Sequence, residues 1–397
     1  MKRSRKSPSC LPAGRRRITF SDFRSGMGKC CTCASKGILS HTIKETLKGI
    51  SEIDYALMEK AQNRLDNLTK PKASLGRLEE LAKQVAAITR NQKPLIKNKV
   101  IFTLAADHGV ADEGVSAYPK EVTAQMVYNF LRGGAGINVL ARHVGARVIV
   151  VDMGVGARLE MQKSEAKNFK NMKIAYGTKN MAQGPAMTRR QAIKSIENGI
   201  RVFEEFGKKI DIAATGDMGI ANTTASSAIT AVITGRPVKE VTGRGTGIDS
   251  RALSHKIEVI KKALALNRPN PEDALDVLAK VGGFEIGGIA GIILAAAKRR
   301  VPVVIDGFIS AAGALIAHRL EPRVKNYIIA GHCSVEKGHK IALEYLGLKP
   351  LLNLDLRLGE GTGAALAMGI VEASVKILTQ MATFQSAAVS HGTDRKV

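Results

Sequence analysis

The stretch Val100-Ile-Phe-Thr-Leu-Ala-Ala-Asp-His-Gly109 decides the fold: an unbroken run of apolar and β-branched residues, then an acid, a histidine and a glycine. A run without polar alternation predicts a strand buried on both faces. The pattern recurs at Arg147 to Asp152, Asp211 to Thr215, Val301 to Ile305, Asn326 to Ala330 and Leu351 to Leu356, each followed by a helical periodicity. Strands alternating with helices predict an α/β class: a parallel, Rossmann-like sheet covered by helices on both faces. Upstream, from Ser51, Leu57, Ala61, Leu65 and Leu68, then Leu75, Leu78, Leu81, Ala82, Val85 and Ile88, recur at three or four and predict two amphipathic helices before any strand. A final helix, about Ala364 to Met381, is expected to pack back onto them as a smaller helical domain. The organisation read this way is a basic, disordered extension over 1–40, a helical segment of the small domain over 41–95, an α/β catalytic domain over 96–360, and a C-terminal helix and tail over 361–397.

The strand ends share a chemistry. Asp107-His108-Gly109, Asp152-Met153-Gly154, Gly216-Asp217-Met218-Gly219, Asp306-Gly307, Gly331-His332 and Arg357-Leu358-Gly359-Glu360 each set glycine beside a polar or acidic residue. In an open parallel sheet ligands bind at the carboxyl ends of the strands, so six such turns predict one shared cleft.

Composition bounds what that cleft can serve. The 397 residues, 45% hydrophobic, suffice for a sizeable core. No uninterrupted apolar run approaches the roughly 20 residues that a membrane-spanning helix needs. The most apolar segment, Ile286 to Ala297, ends in Lys298, Arg299 and Arg300, and the chain is expected to be soluble, cytoplasmic and without a membrane partner. Of the net charge of +25, residues 1 to 37 carry +9, leaving +16 spread over the other 360 residues. With no Trp and few aromatics there is no stacking platform for nucleic acid, and an anionic small-molecule substrate accounts for the mild basicity. Cys10, Cys30, Cys31 and Cys33 also lie in the leader. Five cysteines in all make no disulfide framework, and a Cys-Cys-x-Cys cluster without a second Cys or His pair predicts no zinc site.

Two Gly-rich segments, Gly216-Asp-Met-Gly-Ile-Ala-Asn-Thr-Thr224 and Gly243-Arg-Gly-Thr-Gly-Ile-Asp249, place backbone N–H groups and Thr or Asn side chains at the start of helices, where phosphate binds. Tight turns needing left-handed backbone are the alternative reading of either. A third, Leu356-Arg-Leu-Gly-Glu-Gly-Thr-Gly-Ala364, has the look of a dinucleotide fingerprint, yet Glu360 stands where pyrophosphate would approach and would repel it. That excludes a dinucleotide oxidoreductase and leaves Glu360 as a desolvated general base or as a carboxylate complementing a helix dipole.

Eight segments in order carry a resemblance that spans most of residues 65 to 380. They are Lys72-Ala-Ser-Leu-Gly-Arg-Leu-Glu79, Ala106 to Ser116, Glu121 to Phe130, Gly216 to Thr224, Gly283-Phe-Glu285, Asp306-Gly-Phe-Ile-Ser310, Gly331-His-Cys-Ser-Val-Glu336 and Arg357 to Ala364. Together they resemble the nicotinate-nucleotide:dimethylbenzimidazole phosphoribosyltransferases. That resemblance implies transfer of phosphoribose from nicotinate mononucleotide to 5,6-dimethylbenzimidazole with inversion at C1′, without metal or cofactor, by a homodimer. It implies that Glu360 takes the benzimidazole N–H proton, with Asp217 as a second catalytic carboxylate. Lys256 and Ser334 are then expected to contact the phosphate, helped by Gly219, Asn222 and Thr223. Ser116 and Gln125 would border the benzimidazole pocket, with Met218 and Leu358 as its apolar walls. Asp217 departs from the family's usual Glu by one methylene, which shortens its reach, and Lys72-Ala73 replaces a Pro-Gly. His108 and His332, beside glycines at strand ends, are expected to hold hydrogen bonds rather than to catalyse; for Asp107 and Asp306 ribose contact and helix capping are both open, and neither is assigned. Two other readings stand beside this one: a related transferase acting on another base, and a nucleic-acid-binding module carried by the basic leader.

Overall fold

The computed structural model describes residues 39–162 and 166–390. The basic leader and its four cysteines lie outside the described residues. Three helices, α1 (His41–Lys48), α2 (Tyr55–Asp66) and α3 (Arg77–Thr89), precede β1 (Lys99–Ala106). Next come α4 (Glu121–Arg132), α5 (Gly136–His143), β2 (Ala146–Gly154), β3 (Phe169–Asn171), α6 (Arg189–Phe206) and β4 (Ile212–Met218). The chain continues through α7 (Asn222–Thr234), α8 (Val238–Val241), α9 (Ser250–Asn267), α10 (Ala274–Val281) and α11 (Phe284–Lys298) to β5 (Val303–Ile305). It closes with α12 (Phe308–Leu320), β6 (Ile328–Ala330), α13 (Lys337–Leu346) and α14 (Thr362–Gln380).

The six strands form one parallel sheet in the order β3-β2-β1-β4-β5-β6. The connections reverse direction between β1 and β4, where Phe102 pairs with Ile149 on one side and Thr215 on the other. This is the topological switch point at which open α/β sheets bind their ligands. Burial along β1 shows why its sequence does not alternate. Val100, Phe102, Leu104 and Ala106 enter a core shared with α6, α7, α11 and α12, while Ile101 and Ala105 enter a second core shared with α4, α5 and α14. A third, smaller cluster joins Ala61, Leu65 and Leu68 to Ala82, Ala86 and Leu378, so the end of α14 packs on α2 and α3.

Three details differ from the sequence reading. The periodicity from Ser51 misses α1, whose eight residues bury only Ile43 and Thr46. It misses β3 as well, a three-residue strand beside Val150–Asp152 and too short to carry a pattern. Leu351 to Leu356 is not a strand: it makes a single bridge, Leu352 with His332, and isolated backbone bonds such as Leu351 N–H to Ala330 O (3.1 Å) and Cys333 N–H to Leu352 O (2.8 Å). Asp355, at φ 53°, turns the backbone out of the pleat and leaves Leu354 exposed.

The apolar helices fill the core. Every residue from Phe284 to Ala297 and from Phe308 to Ala317 is buried within the chain, which leaves no free face there for a subunit interface. By length and mean hydropathy α14 alone among the described residues could cross a membrane. It carries Glu372 and Lys376, pairs Glu372 with Lys99, and packs on the sheet and on α2, α3 and α5. At the crossing of α6 and α11, a Cβ on Gly199 would lie 2.0 Å from Gly288 O, and one on Gly291 2.1 Å from Ile196 O. Gly199→Ala is therefore expected to lower the free energy of unfolding by about 1–3 kcal/mol through overpacking. Urea denaturation measures this, and an unchanged midpoint would show that the helices move apart at little cost.

Candidate active site

The Leu358–Gly361 loop lies directly on the end of β4. A Cβ on Gly216 would stand 2.1 Å from Glu360 O, so that strand position must be glycine. Glu360 N–H donates to Asp217 O (3.2 Å), and the Thr103 hydroxyl donates to Glu360 O (2.9 Å). Gly359, Glu360 and Gly361 are all left-handed, at φ 81°, 65° and 102°. For Glu360 that conformation is unfavourable, and it persists because the surroundings over-determine it. Asp306, wholly buried, accepts from Gly361 N–H (3.2 Å) and Ala364 N–H (3.0 Å) and so holds the start of α14 from beneath. The Glu360 side chain reaches α5, where Oε2 accepts from Ile137 N–H (2.9 Å). Burial raises the Glu360 pKa above the ordinary value; the Ile137 bond opposes this and the Asp306 charge adds to it.

Asp217 stands beside it, 5% exposed. Its Oδ2 accepts from Asn222 Nδ2 (2.9 Å), and its Oδ1 has no hydrogen-bond partner among the described residues. Burial, followed by the fields of Asp306 and Glu285, pushes its pKa well above the usual carboxylate range; the Asn222 bond opposes, and Glu360 adds a further push. The upward shift favours the protonated form of Asp217. Beyond it, Gly219 passes so close to β1 that a Cβ would be 2.3 Å from Ala106 O. Behind Gly219 lies a buried pair, His108 Nε2 to Glu285 Oε1 at 2.7 Å. Burial alone would lower the His108 pKa, but Glu285 outweighs it and the net shift is upward. His108 thus makes the hydrogen bond expected at its strand end, with Glu285 as the partner. His332 faces Asp306 at 3.6 Å, and its Nδ1 has no partner among the described residues.

The first turn of α7 joins this carboxylate end to a cationic one. Asn222 holds Asp217, and the next residue, Thr223, accepts from Lys256 Nζ through its hydroxyl (2.6 Å). Lys256, on α9, is 1% exposed, and burial lowers its pKa to about 8 against the pull of Glu336. The Gly243–Gly247 turn lies over it, with a Cβ on Gly245 placed 3.2 Å from Nζ. Gly245 N–H donates to Glu336 Oε1 (2.8 Å), and Arg357 Nη1 donates to Gly245 O (3.4 Å), tying the turn to the Glu360 loop. Ser334 is buried: its hydroxyl accepts from Glu336 N–H (3.3 Å) and its own N–H donates to His339 Nδ1 (2.9 Å). With Lys239, Lys337, Lys340, Glu240 and Glu344, Ser334 and Glu336 also line an open depression of about 620 Å³.

Most of the expected site thus converges. Glu360, Asp217, Met218, Gly219, Asn222, Thr223 and Lys256 form one continuous set, and Ser334 joins it through Glu336 and Gly245. Ser116 reaches the same turn at its hydroxyl, 3.3 Å from the Thr246 hydroxyl. Leu358, 61% exposed, stands at the rim against Gly136. Gln125 is exposed on α4, and no hydrogen bond among the described residues ties it to the others; its neighbour Thr123 does take part, accepting from Ile220 N–H (3.2 Å). Sequence reasoning left Asp306 unassigned between ribose contact and helix capping, and it missed Glu336 and the Glu285 partner of His108, whose roles depend on burial and contact that no local pattern records. Among the described residues no group of three or more His, Cys, Asp and Glu is placed to hold a metal ion.

A 3-2-1-4-5-6 parallel sheet with a buried carboxylate at its switch point and a buried lysine under a Gly-rich turn defines a class: α/β enzymes that hold a phosphorylated ligand against an acid or base. Comparison with known proteins narrows the class. A family model described as phosphoribosyltransferase matches residues 50–389. The nicotinate-nucleotide–dimethylbenzimidazole phosphoribosyltransferase of Desulforudis audaxviator is 58% identical over 349 residues, covering 88% of this chain and 98% of its own. That of Geobacter metallireducens is 58% identical over 356 residues, covering 89% and 99%. The crystal structure of the Thermus thermophilus enzyme of the same name superposes with a TM-score of 0.80 at 45% identity, over 86% of this chain and 100% of that one. The chain belongs to the nicotinate-nucleotide–dimethylbenzimidazole phosphoribosyltransferase family and is a phosphoribosyltransferase.

Proposed function

We propose that this chain transfers the phosphoribosyl group of nicotinate mononucleotide to 5,6-dimethylbenzimidazole, giving α-ribazole 5′-phosphate and nicotinate, in assembly of the cobalamin nucleotide loop. Beyond family membership, the observation that carries the reading is the pairing of a buried, left-handed Glu360 with a phosphate-type end at Lys256 and Thr223, bridged by the first turn of α7. Lys256, the α7 start at Asn222 and Thr223 with Gly219 before it, and the Ser334 hydroxyl hold the phosphate. Glu360 takes the N–H proton of the benzimidazole while the other ring nitrogen attacks C1′, and the bond from C1′ to the nicotinate nitrogen breaks. The nucleophile gains positive charge as it attacks, and a carboxylate already in place stabilises that charge without reorganisation. Asp217, whose pKa burial and then the neighbouring carboxylates push upward, is the second carboxylate of the site and faces the substrate through Oδ1, which has no hydrogen-bond partner among the described residues. Ser116 and Gln125 border the base, and Met218 and Leu358 form its apolar walls. The same reading makes the enzyme a cytoplasmic homodimer in which residues 41–95 and the end of α14 form a small helical domain.

Incubation of the purified protein with both substrates, followed by chromatography, is expected to yield nicotinate and α-ribazole phosphate in equal amounts. Failure of folded protein to release nicotinate with any of a panel of benzimidazoles, purines and phenols would overturn the reading. Release with a purine or a phenol but not with dimethylbenzimidazole would reassign the acceptor and leave the transfer chemistry standing.

A further inference from the structure

A carboxylate beside a phosphate-type site needs a reason, because it repels the ligand. Glu336 is 6% exposed, and it stands at the end of the Gly331–Glu336 turn. Its Oε1 accepts from Gly245 N–H (2.8 Å), and its Oε2 has no hydrogen-bond partner among the described residues. The fit is tight: a Cβ on Gly243 would lie 2.1 Å from Oε2. The turn that carries Glu336 is pinned by His339, whose N–H donates to Glu336 O (2.9 Å) and whose Nδ1 accepts from Ser334 N–H. Burial lowers the His339 pKa to about 3, so the ring stays a neutral acceptor. Ser334 Oγ accepts from Glu336 N–H, which leaves its hydroxyl proton to be donated elsewhere. Across Gly245 lies Lys256, whose ammonium has three donors and gives one to Thr223.

We infer that Glu336 is a positioning residue for the phosphate end of the cleft, fixing the Gly243–Gly247 turn through the Gly245 amide and pairing its charge with Lys256. The inference rests on the phosphoribosyl-transfer reading and deepens it. Several other charged groups on the elements around Lys256 have partners of their own. Arg244 donates to Ile248 O and the Ser250 hydroxyl, and Arg357 donates to Gly245 O. Glu240 of α8 pairs with Arg236, and Asp276 of α10 pairs with Lys280. On α9 itself His255 meets Glu113 O, and Glu258 pairs with Lys261. Lys239 and Lys337 line the outer depression. The charge that acts on Lys256 is that of Glu336, and it favours the ammonium against burial.

The test compares the full-length protein with Glu336→Gln, which keeps an acceptor for Gly245 and loses the charge, and Glu336→Ala, which loses both. The readout is kcat/KM for nicotinate mononucleotide from about pH 6 to about pH 9.5, since that ratio reports ionisations of the free enzyme. The parent enzyme is expected to lose kcat/KM as Lys256 deprotonates near pH 8. In Glu336→Gln this alkaline limb moves to lower pH by about one unit, while the KM for dimethylbenzimidazole stays put. In Glu336→Ala the KM for nicotinate mononucleotide also rises about tenfold at every pH, and calorimetry with inorganic phosphate reads a matching loss of affinity without turnover. An unmoved limb in Glu336→Gln overturns the inference, as does tighter phosphate binding in Glu336→Ala, which would make Glu336 a competitor of the ligand. A parent enzyme that releases no nicotinate would instead defeat the proposed reaction, and the calorimetric comparison would still decide the role of Glu336.

Discussion

Glu360→Gln is expected to lower kcat by about a hundred- to ten-thousand-fold, the range for loss of a positioned general base, while making the protein more stable at neutral pH. The two effects have one cause. Burial and the neighbouring Asp306 raise the Glu360 pKa, so its ionised form is disfavoured in the folded chain relative to the unfolded one. For an acid whose folded pKa is raised, the favourable contribution to stability is full below the unfolded value, 4.5, and is lost as pH rises through the folded pKa. At neutral pH the parent protein therefore carries an unfavourable carboxylate that glutamine removes, and the Ile137 N–H still finds an acceptor. The same shift sets the acid limb of kcat, which should fall as Glu360 is protonated at a pH above its ordinary range. Thermal melts at about pH 5 and about pH 7.5 beside kcat for both proteins check the pairing; the melting-temperature gain of the variant should be larger at the higher pH. Full activity in the variant would assign the proton to another group, and a loss of stability would mean that the carboxylate holds its loop in place.

How far the sequence foretold this site follows from what local patterns record. Glu360 is legible because a carboxylate between glycines after an apolar run is unusual in itself, and the two Gly-rich helix starts are legible because they need donors close to the backbone. The apolar continuity of Val100 to Ala105 gave the doubly covered sheet, since each residue has a core to enter. Leu351 to Leu356 misled because its leucines fit a strand, whereas the left-handed Asp355 and the lone bridge at Leu352 are decided by the neighbouring chain. Asp306 reads in sequence as an acid that touches ribose or caps a helix; packing settles it as the acceptor beneath the start of α14. Glu336 is hidden for the same reason, since its partner Gly245 is 91 residues away. Gln125, expected at the base pocket, lies on an exposed face of α4, and a contact with substrate there depends on the ligand itself.

Lys256→Met, which keeps the length of the stem and removes the charge, is expected to raise the KM for nicotinate mononucleotide about a hundredfold and to leave the KM for dimethylbenzimidazole within about twofold. A charge-assisted hydrogen bond is worth about 1.5–3 kcal/mol, and in a site with Lys256 only 1% exposed little solvent screens it. The loss should fall on kcat/KM for the nucleotide rather than on kcat, because the phosphate is held equally in the bound ground state and the transition state. Stability carries a second signature. Burial lowers the Lys256 pKa from 10.5 to about 8, so between those values the unfolded chain binds more protons than the folded one, and this residue makes stability rise with pH. The Met variant lacks that increment, and the difference in unfolding free energy between the two proteins should change over that interval and level off on either side. Chemical denaturation at about pH 7, about pH 9 and about pH 10.5 measures it. An unchanged KM for the nucleotide would remove Lys256 from the phosphate site. An unchanged KM together with the predicted stability profile would make it a buried cation kept for the Gly243–Gly247 turn alone, with the phosphate held by backbone amides and Ser334.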